Sequence, residues 1–179
     1  MMDRVKNLFQ KPLFRVGVAV VLLLILAGAA GGIYLTQLPP QQPINYPHHT
    51  HIGLGIPCLY CHAGAATGPV AGIPSAGKCW GCHQQIKGGS AEINKLADYV
   101  HKDQPIPWVP VAIQPDFVHF NHRPHIAAGL NCEACHGDVS KMNTAQPQAS
   151  QNMGWCLECH KRMAPQKFTL LSDCATCHY

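Results

Sequence analysis

Hydrophobic residues are spread unevenly along the chain. Val16 to Leu35, VGVAVVLLLILAGAAGGIYL, is an unbroken uncharged run. A helix of about 20 residues, rising about 1.5 Å per residue, crosses a bilayer. Residues 1–15 carry Arg4, Lys6, Lys11 and Arg15 against Asp3, and the next charge after the run is Lys78. Basic residues on one flank mark that flank as cytoplasmic, which puts 36–179 across the membrane. Ala27-Gly28-Ala29 has the small residues of a signal-peptide cleavage site. The apolar run is longer than a usual signal core, so a retained transmembrane anchor over 16–35 is expected. Gly28 and Gly32, like Ala27 and Gly31, lie four apart, which lets another transmembrane helix approach closely.

Beyond the anchor, periodic patterning is scarce. Thr36 to Pro47, TQLPPQQPINYP, is too proline-rich for an ordinary helix and reads as a tether. Ile93, Leu96, Ala97 and Val100 form an i, i+3, i+4, i+7 stripe. It predicts a short helix capped by Ser90 and ending near His101. Pro105, Pro107, Pro110 and Pro115 then impose an extended strap, and Trp108 and Phe117 are expected to pack on a haem or on the neighbouring lobe. Only 12% of residues are charged, 7% are aromatic, and Gly and Pro number 16 and 15. Side chains alone would make a poor core, and nothing suggests a nucleic-acid surface.

The cysteines change that picture. All ten fall in five Cys-x-x-Cys-His units. The first is Cys58, Cys61 and His62, and the second is Cys79, Cys82 and His83. Cys132, Cys135 and His136 make the third, and Cys156, Cys159 and His160 the fourth. Cys174, Cys177 and His178 make the fifth. This is the attachment signature of c-type haem: two thiols bond the porphyrin vinyls and the histidine ligates the iron from below. Zinc would pair the units into tetrahedral sites, and five pair badly. A redox dithiol needs no following histidine, and a disulfide framework would not repeat one short spacing. Five haem c groups then serve as the core. The fold class expected is mainly α and irregular: short helices and loops around a haem stack, plus one transmembrane helix.

An internal repeat refines this. His48-x-x-His51-Ile52-x-x-Gly55-x-x-Cys58-x-x-Cys61-His62 matches His122-x-x-His125-Ile126-x-x-Gly129-x-x-Cys132-x-x-Cys135-His136 without a gap. The units fall into two groups, so lobes of about 48–89 and 118–179 are expected within a haem domain of 48–179, joined by 90–117. Neutral imidazole is a standard haem ligand, which makes His48, His51, His122 and His125 candidates for the opposite face of the irons. His119 extends the series and is the fifth choice. His101, Met142 and Met153 stand in reserve, and His49 reads as a solvent or propionate contact. Irons filled on both faces leave electron transfer as the remaining chemistry, so no catalytic residue is assigned.

These residues resemble class III multihaem cytochromes of the c3/c7 type. With the anchor, Pro105-Ile-Pro-Trp108, Phe117-Val-His-Phe-Asn-His122 and Met153-Gly-Trp-Cys156, the chain looks more specifically like the pentahaem cytochrome subunit of alternative complex III, a bacterial quinol-oxidising assembly. That resemblance implies an electron-transfer subunit, not an enzyme by itself, on the periplasmic side of the bacterial inner membrane. It implies as partners the membrane helices of quinol-oxidising subunits, a periplasmic iron–sulfur subunit and a monohaem cytochrome c. Family members often carry a histidine soon after the Pro-Ile-Pro-Trp stretch, where this chain reads Val109-Pro-Val-Ala-Ile113. The fifth distal ligand is therefore the open position. The competing functions are a self-sufficient anchored quinol dehydrogenase, a periplasmic multihaem reductase with one open iron, and, remotely, a structural zinc protein.

Overall fold

The structure is a computed structural model and describes residues 11–36 and 38–179. Arg4, Lys6 and Asp3, on which the side assignment partly rests, lie outside the described residues. The chain divides into two units, 1–38 and 39–179.

The first unit is one helix, α1, Pro12–Thr36. Pro12 occupies its first position, where a missing N–H costs nothing. The helix starts four residues ahead of the apolar run. Its apolar side chains are exposed all round, and it is long and apolar enough to cross a membrane. A Cβ added at Gly28, Gly31 or Gly32 would meet nothing within 4 Å.

The second unit contains short helices and loops, with no strand among the described residues. In chain order these are α2 His48–Gly53, α3 Cys58–Cys61, α4 Gly64–Thr67, α5 Ala76–His83, α6 Ala91–His101, α7 His122–Ala127, α8 Glu133–His136, α9 Met153–Met163, α10 Phe168–Leu171 and α11 Cys174–Cys177. A 3-10 turn at Val139–Lys141 follows α8, and another at Pro165–Lys167 precedes α10.

One apolar cluster is conventional. Ile44, Ala76, Leu96 and Ile106 are buried together, with Ile93, Val100, Trp80 and Trp108 packed around them. The predicted stripe of α6 therefore faces inward, and the Ser90 hydroxyl caps it by accepting the Ile93 N–H at 3.2 Å. The Gln42 side chain clasps the Val109 main chain in both directions, at 2.8 and 2.9 Å. The Asn45 N–H donates to Glu92 at 2.6 Å. The proline-rich segment is thus fastened to the strap and to α6. Trp108 packs inward, whereas Phe117 is exposed.

Elsewhere the core is thin. Ala65 is the one further buried apolar residue of the described chain, while Leu54, Val70 and Ile113 are more than 70% exposed. Burying a large aliphatic side chain stabilises by roughly 1.5–3 kcal/mol. A unit of this size with so few buried is held by more than its own side chains.

The repeat is visible in three dimensions as an exchange between its two copies, offset by 74 residues. The His48 and His49 N–H groups donate to the Asn143 and Met142 carbonyls, at 3.3 and 3.0 Å. The equivalent His122 and Arg123 N–H groups donate to Pro69 and Gly68, at 3.3 and 3.2 Å. Each copy's histidine turn thus packs against the segment that follows the other copy's first Cys-x-x-Cys-His. The arrangement is a pseudo-two-fold. Both turns end alike: Gly55 and Gly129 adopt φ of 80° and 78°, and Ile56 and Leu130 donate back to the His51 and His125 carbonyls. A left-handed C′ glycine is the usual way to stop a helix and satisfy its last carbonyls.

Candidate haem-binding site

Every Cys-x-x-Cys-His unit is built on a helical turn, at α3, within α5, at α8, within α9 and at α11. A single turn brings side chains three apart onto one face, so both thiols point to one ring edge. In three units the histidine N–H closes the turn on the first cysteine's carbonyl: His62 on Cys58, His136 on Cys132 and His178 on Cys174, at 2.9, 3.0 and 2.9 Å. All ten thiols are free and none is fully buried. Burial pushes the thiols of Cys61, Cys79, Cys132, Cys135 and Cys156 up.

The second cysteines of the two longer helices are placed differently from each other. Cys82 is exposed, and its carbonyl accepts the Gln85 and Ile86 N–H groups at 3.0 and 3.1 Å. Its partner Cys79 packs with Trp80 against the apolar cluster, so protein covers the first thiol of this unit and leaves Cys82 open. Cys174 of the fifth unit is exposed in the same way. Cys159 is half-buried, on the side of the fourth unit that approaches the third, where its charge raises the Cys135 thiol after burial has done so. Among the described residues, Cys82 and Cys159 belong to no cluster of three or more side chains that could hold a bare metal ion.

The histidines show a shared device. Nδ1 donates to a main-chain carbonyl in His62 (Gly72, 2.6 Å), His83 (Ile86, 3.2 Å), His160 (Leu171, 3.3 Å) and His178 (Phe117, 2.8 Å). The upstream histidines do the same: His51 to Pro47 at 3.0 Å, His122 to Pro69 at 2.7 Å and His125 to Asn121 at 2.7 Å. A proton fixed on Nδ1 leaves Nε2 with its lone pair free for a metal and holds the ring's orientation.

The rings then meet in pairs. His51 faces His83 with centroids 6.0 Å apart, His122 faces His136 at 6.3 Å and His125 faces His160 at 6.1 Å. With metal–imidazole bonds of about 2 Å, two rings on opposite sides of one metal have centroids about 6 Å apart. His48 completes the scheme by position: burial lowers its pKa first, then the nearby His62 and His51. Burial likewise lowers His136, followed by His122 and His62. Both shifts favour neutral imidazole, the ligating form. Paired thiols, oriented imidazoles and uncovered apolar side chains fit a haem c.

The remaining histidines go elsewhere. The His119 N–H donates to the Cys177 carbonyl at 2.8 Å, and its ring stacks on Tyr179 at 4.3 Å. It therefore sits against the fifth unit. His101 lies edge-on to Trp80, at 5.9 Å. His49 is exposed and shares a 3.2 Å hydrogen bond with Thr50. Met142 contributes its carbonyl to the exchange, and Met153 opens α9 largely exposed.

Two aromatic residues were not singled out as contacts of these histidines. Tyr46 packs on His48 and His51, with centroids at 4.8 and 4.3 Å. Phe120 packs on His122 and His125, at 4.8 Å each. Each ring wedges against both histidines of its turn. A signal was present, since these aromatics share the 74-residue offset. The Tyr46 phenol is pushed up to about 12 by burial, then by the Cys61 and Cys79 thiols.

The fold and site define a class, the multihaem c-type cytochromes with an electron-transfer role. Residues 118–179 match the family described as cytochrome c7 and related cytochrome c, so this part is a c7-like domain. Over 161 residues, 77% of each chain, the protein is 29% identical to the multihaem cytochrome c subunit of menaquinone reductase from Nitratidesulfovibrio vulgaris (strain Hildenborough).

Proposed function

We propose that the chain is the electron-transfer subunit of a membrane complex that exchanges electrons with quinone, and that it carries five covalent haems c. The observation that carries this reading is the set of facing histidine rings. An iron held between two imidazoles has no open position for a substrate and is left with electron transfer. Thioethers would form at Cys58 and Cys61, at Cys79 and Cys82, at Cys132 and Cys135, at Cys156 and Cys159, and at Cys174 and Cys177. His62, His83, His136, His160 and His178 would ligate from the motif side, opposed by His48, His51, His122 and His125 on the first four. His119, seated on the fifth unit, is the candidate there. Bound haem supplies one-electron redox chemistry, and the protein's part is to orient imidazoles, exclude water and fix spacing.

α1 would remain as an anchor in a bacterial inner membrane, with 39–179 in the periplasm. Partners would be quinone-reactive membrane subunits, an iron–sulfur subunit and a monohaem cytochrome c, as the resemblance to alternative complex III implies. Electrons would pass from quinol to a periplasmic acceptor. A second reading follows from the relative's name: a menaquinone reductase would run the same wire toward the quinone.

The test begins with purification from membranes and identification of co-migrating subunits. The haem spectrum is then followed after adding menaquinol or a reduced periplasmic cytochrome. Reduction by menaquinol in the complex but not in the isolated subunit supports the proposal. Reduction of the isolated subunit by menaquinol replaces it with the self-sufficient dehydrogenase. Reduction by the cytochrome alone selects the reverse direction.

A further inference from the structure

The order of the five attachment motifs in space differs from their order along the chain. α2 carries His48 and His51 on one turn, and they meet different motifs. His51 meets His83 of the second edge-on at 6.0 Å, and His48, the repeat equivalent of His122, is assigned to the first as His122 is to the third. Lys78, just ahead of the second motif, lies 4.1 Å over the ring of Tyr60, inside the first. Motifs one and two are therefore neighbours.

α7 does the same for the third and fourth. His122 faces His136 and His125 faces His160. The Gln151 side chain, ahead of the fourth motif, donates to the Cys135 carbonyl in the third at 3.1 Å.

The pseudo-two-fold joins the two pairs. α2 hydrogen-bonds to 142–143, beyond motif three, and α7 to 68–69, beyond motif one. Motif one therefore meets motif three. At the far end the His160 ring is tied to Leu171, the last residue of α10, three residues before Cys174. Motif four adjoins motif five.

We infer that the five motifs stand in single file in the order two, one, three, four, five, with the pseudo-two-fold between one and three. This rests on the five-haem reading above and adds a route to it. Each transfer moves one electron from a reduced iron to its oxidised neighbour, with no bond made and no proton moved. The route has two ends, neither of them motif one. One end is motif two, whose Cys79 and Trp80 pack on the cluster of Ile44 and Leu96 while Cys82 is exposed. The other is motif five, whose Cys174 and Tyr179 are exposed. A quinone couple at one end and a one-electron iron protein at the other would exchange electrons there.

The test uses the full chain in detergent. Replacing a ligand histidine by Met raises the potential of that haem, so a single electron equivalent reduces it first. Its paramagnetism disappears, and only adjacent haems lose spin coupling in the electron paramagnetic resonance spectrum. His51→Met is expected to alter the signal of one other haem. His48→Met, His122→Met and His125→Met are each expected to alter two. Two altered haems with His51→Met, or one with His122→Met, overturns the order. Iron positions from cryo-electron microscopy of the unmodified chain give a second readout that needs no variant. A motif-one iron flanked by those of two and three supports the order, and a motif-two iron nearest that of three overturns it. A haem count other than five strikes the functional reading instead, and the order of the motifs that carry haem is still read from the same map.

Discussion

A histidine is ready to ligate when one nitrogen is tied and the other free, and His51, His62, His83, His122, His125, His160 and His178 carry that tie, whereas the His48 Nδ1 is buried without a partner. His122 has its Nδ1 on Pro69 and its ring opposite His136, whereas His49 is exposed beside Thr50. His122→Ala is expected to convert one haem to high spin while all covalent haem is retained. His49→Ala should leave every haem low-spin. Electron paramagnetic resonance of the two variants, with mass spectrometry for haem content, checks both. The aromatic wedges make a separate prediction. Phe120 contacts both histidines of its turn, and such ring pairs are worth about 0.5–1.5 kcal/mol each beyond buried area. Phe120→Leu is expected to destabilise the protein by about 1 kcal/mol and to shift the potentials of two haems, read by denaturant titration and by potentiometry. The motifs at this scale were legible, because each Cys-x-x-Cys-His is complete within five residues. The wedges were not, because an aromatic residue carries no chemical signature until its neighbours are known. Nor was the contrast between exposed Cys82 and half-buried Cys159, since both occupy the same place in the motif and only the surrounding segments differ.

Elements succeed or fail here by their ends. Gly129 holds a φ of 78° and stops α7 right after its second histidine. A side chain in the left-handed region costs roughly 1–2 kcal/mol. Gly129→Ala, like Gly55→Ala in the other copy, is expected to lower stability by about that amount, measured by chemical denaturation. Gly64 is constrained differently. A Cβ there would collide with the carbonyls of Val70 and Ala71. Gly64→Ala should therefore displace the segment whose Gly68 and Pro69 carbonyls hold α7. Loss of low-spin signal from a single haem, without loss of haem, is the expected result. The α6 helix was legible because its stripe and Ser90 cap are local. The clasp of Gln42 on Val109 was not, because it joins segments 67 residues apart.

At the scale of the molecule, residues 39–179 bury few side chains, so on the five-haem reading their folding is expected to depend on haem attachment. Mass spectrometry of the membrane-extracted protein should show five haem additions on a chain that retains residues 1–35. A mature chain beginning near residue 30 would remove the anchor. The amino-acid sequence by itself determined the number and spacing of the Cys-x-x-Cys-His units, the apolar helix and the existence of a duplication. Each is read along the chain, from the spacing within a motif, the length of an apolar run or the recurrence of one pattern. Tertiary structure alone decided that the two copies exchange their histidine turns, that His51 faces His83 while His125 faces His160, and that the first motif stands beside the third. The physical reason is the reach of the interactions. A helical turn fixes which side chains share a face over three or four residues. Which ring stands opposite which is set by hydrogen bonds between segments far apart in the chain, such as His48 to Asn143 and His122 to Pro69, and no local pattern encodes that pairing.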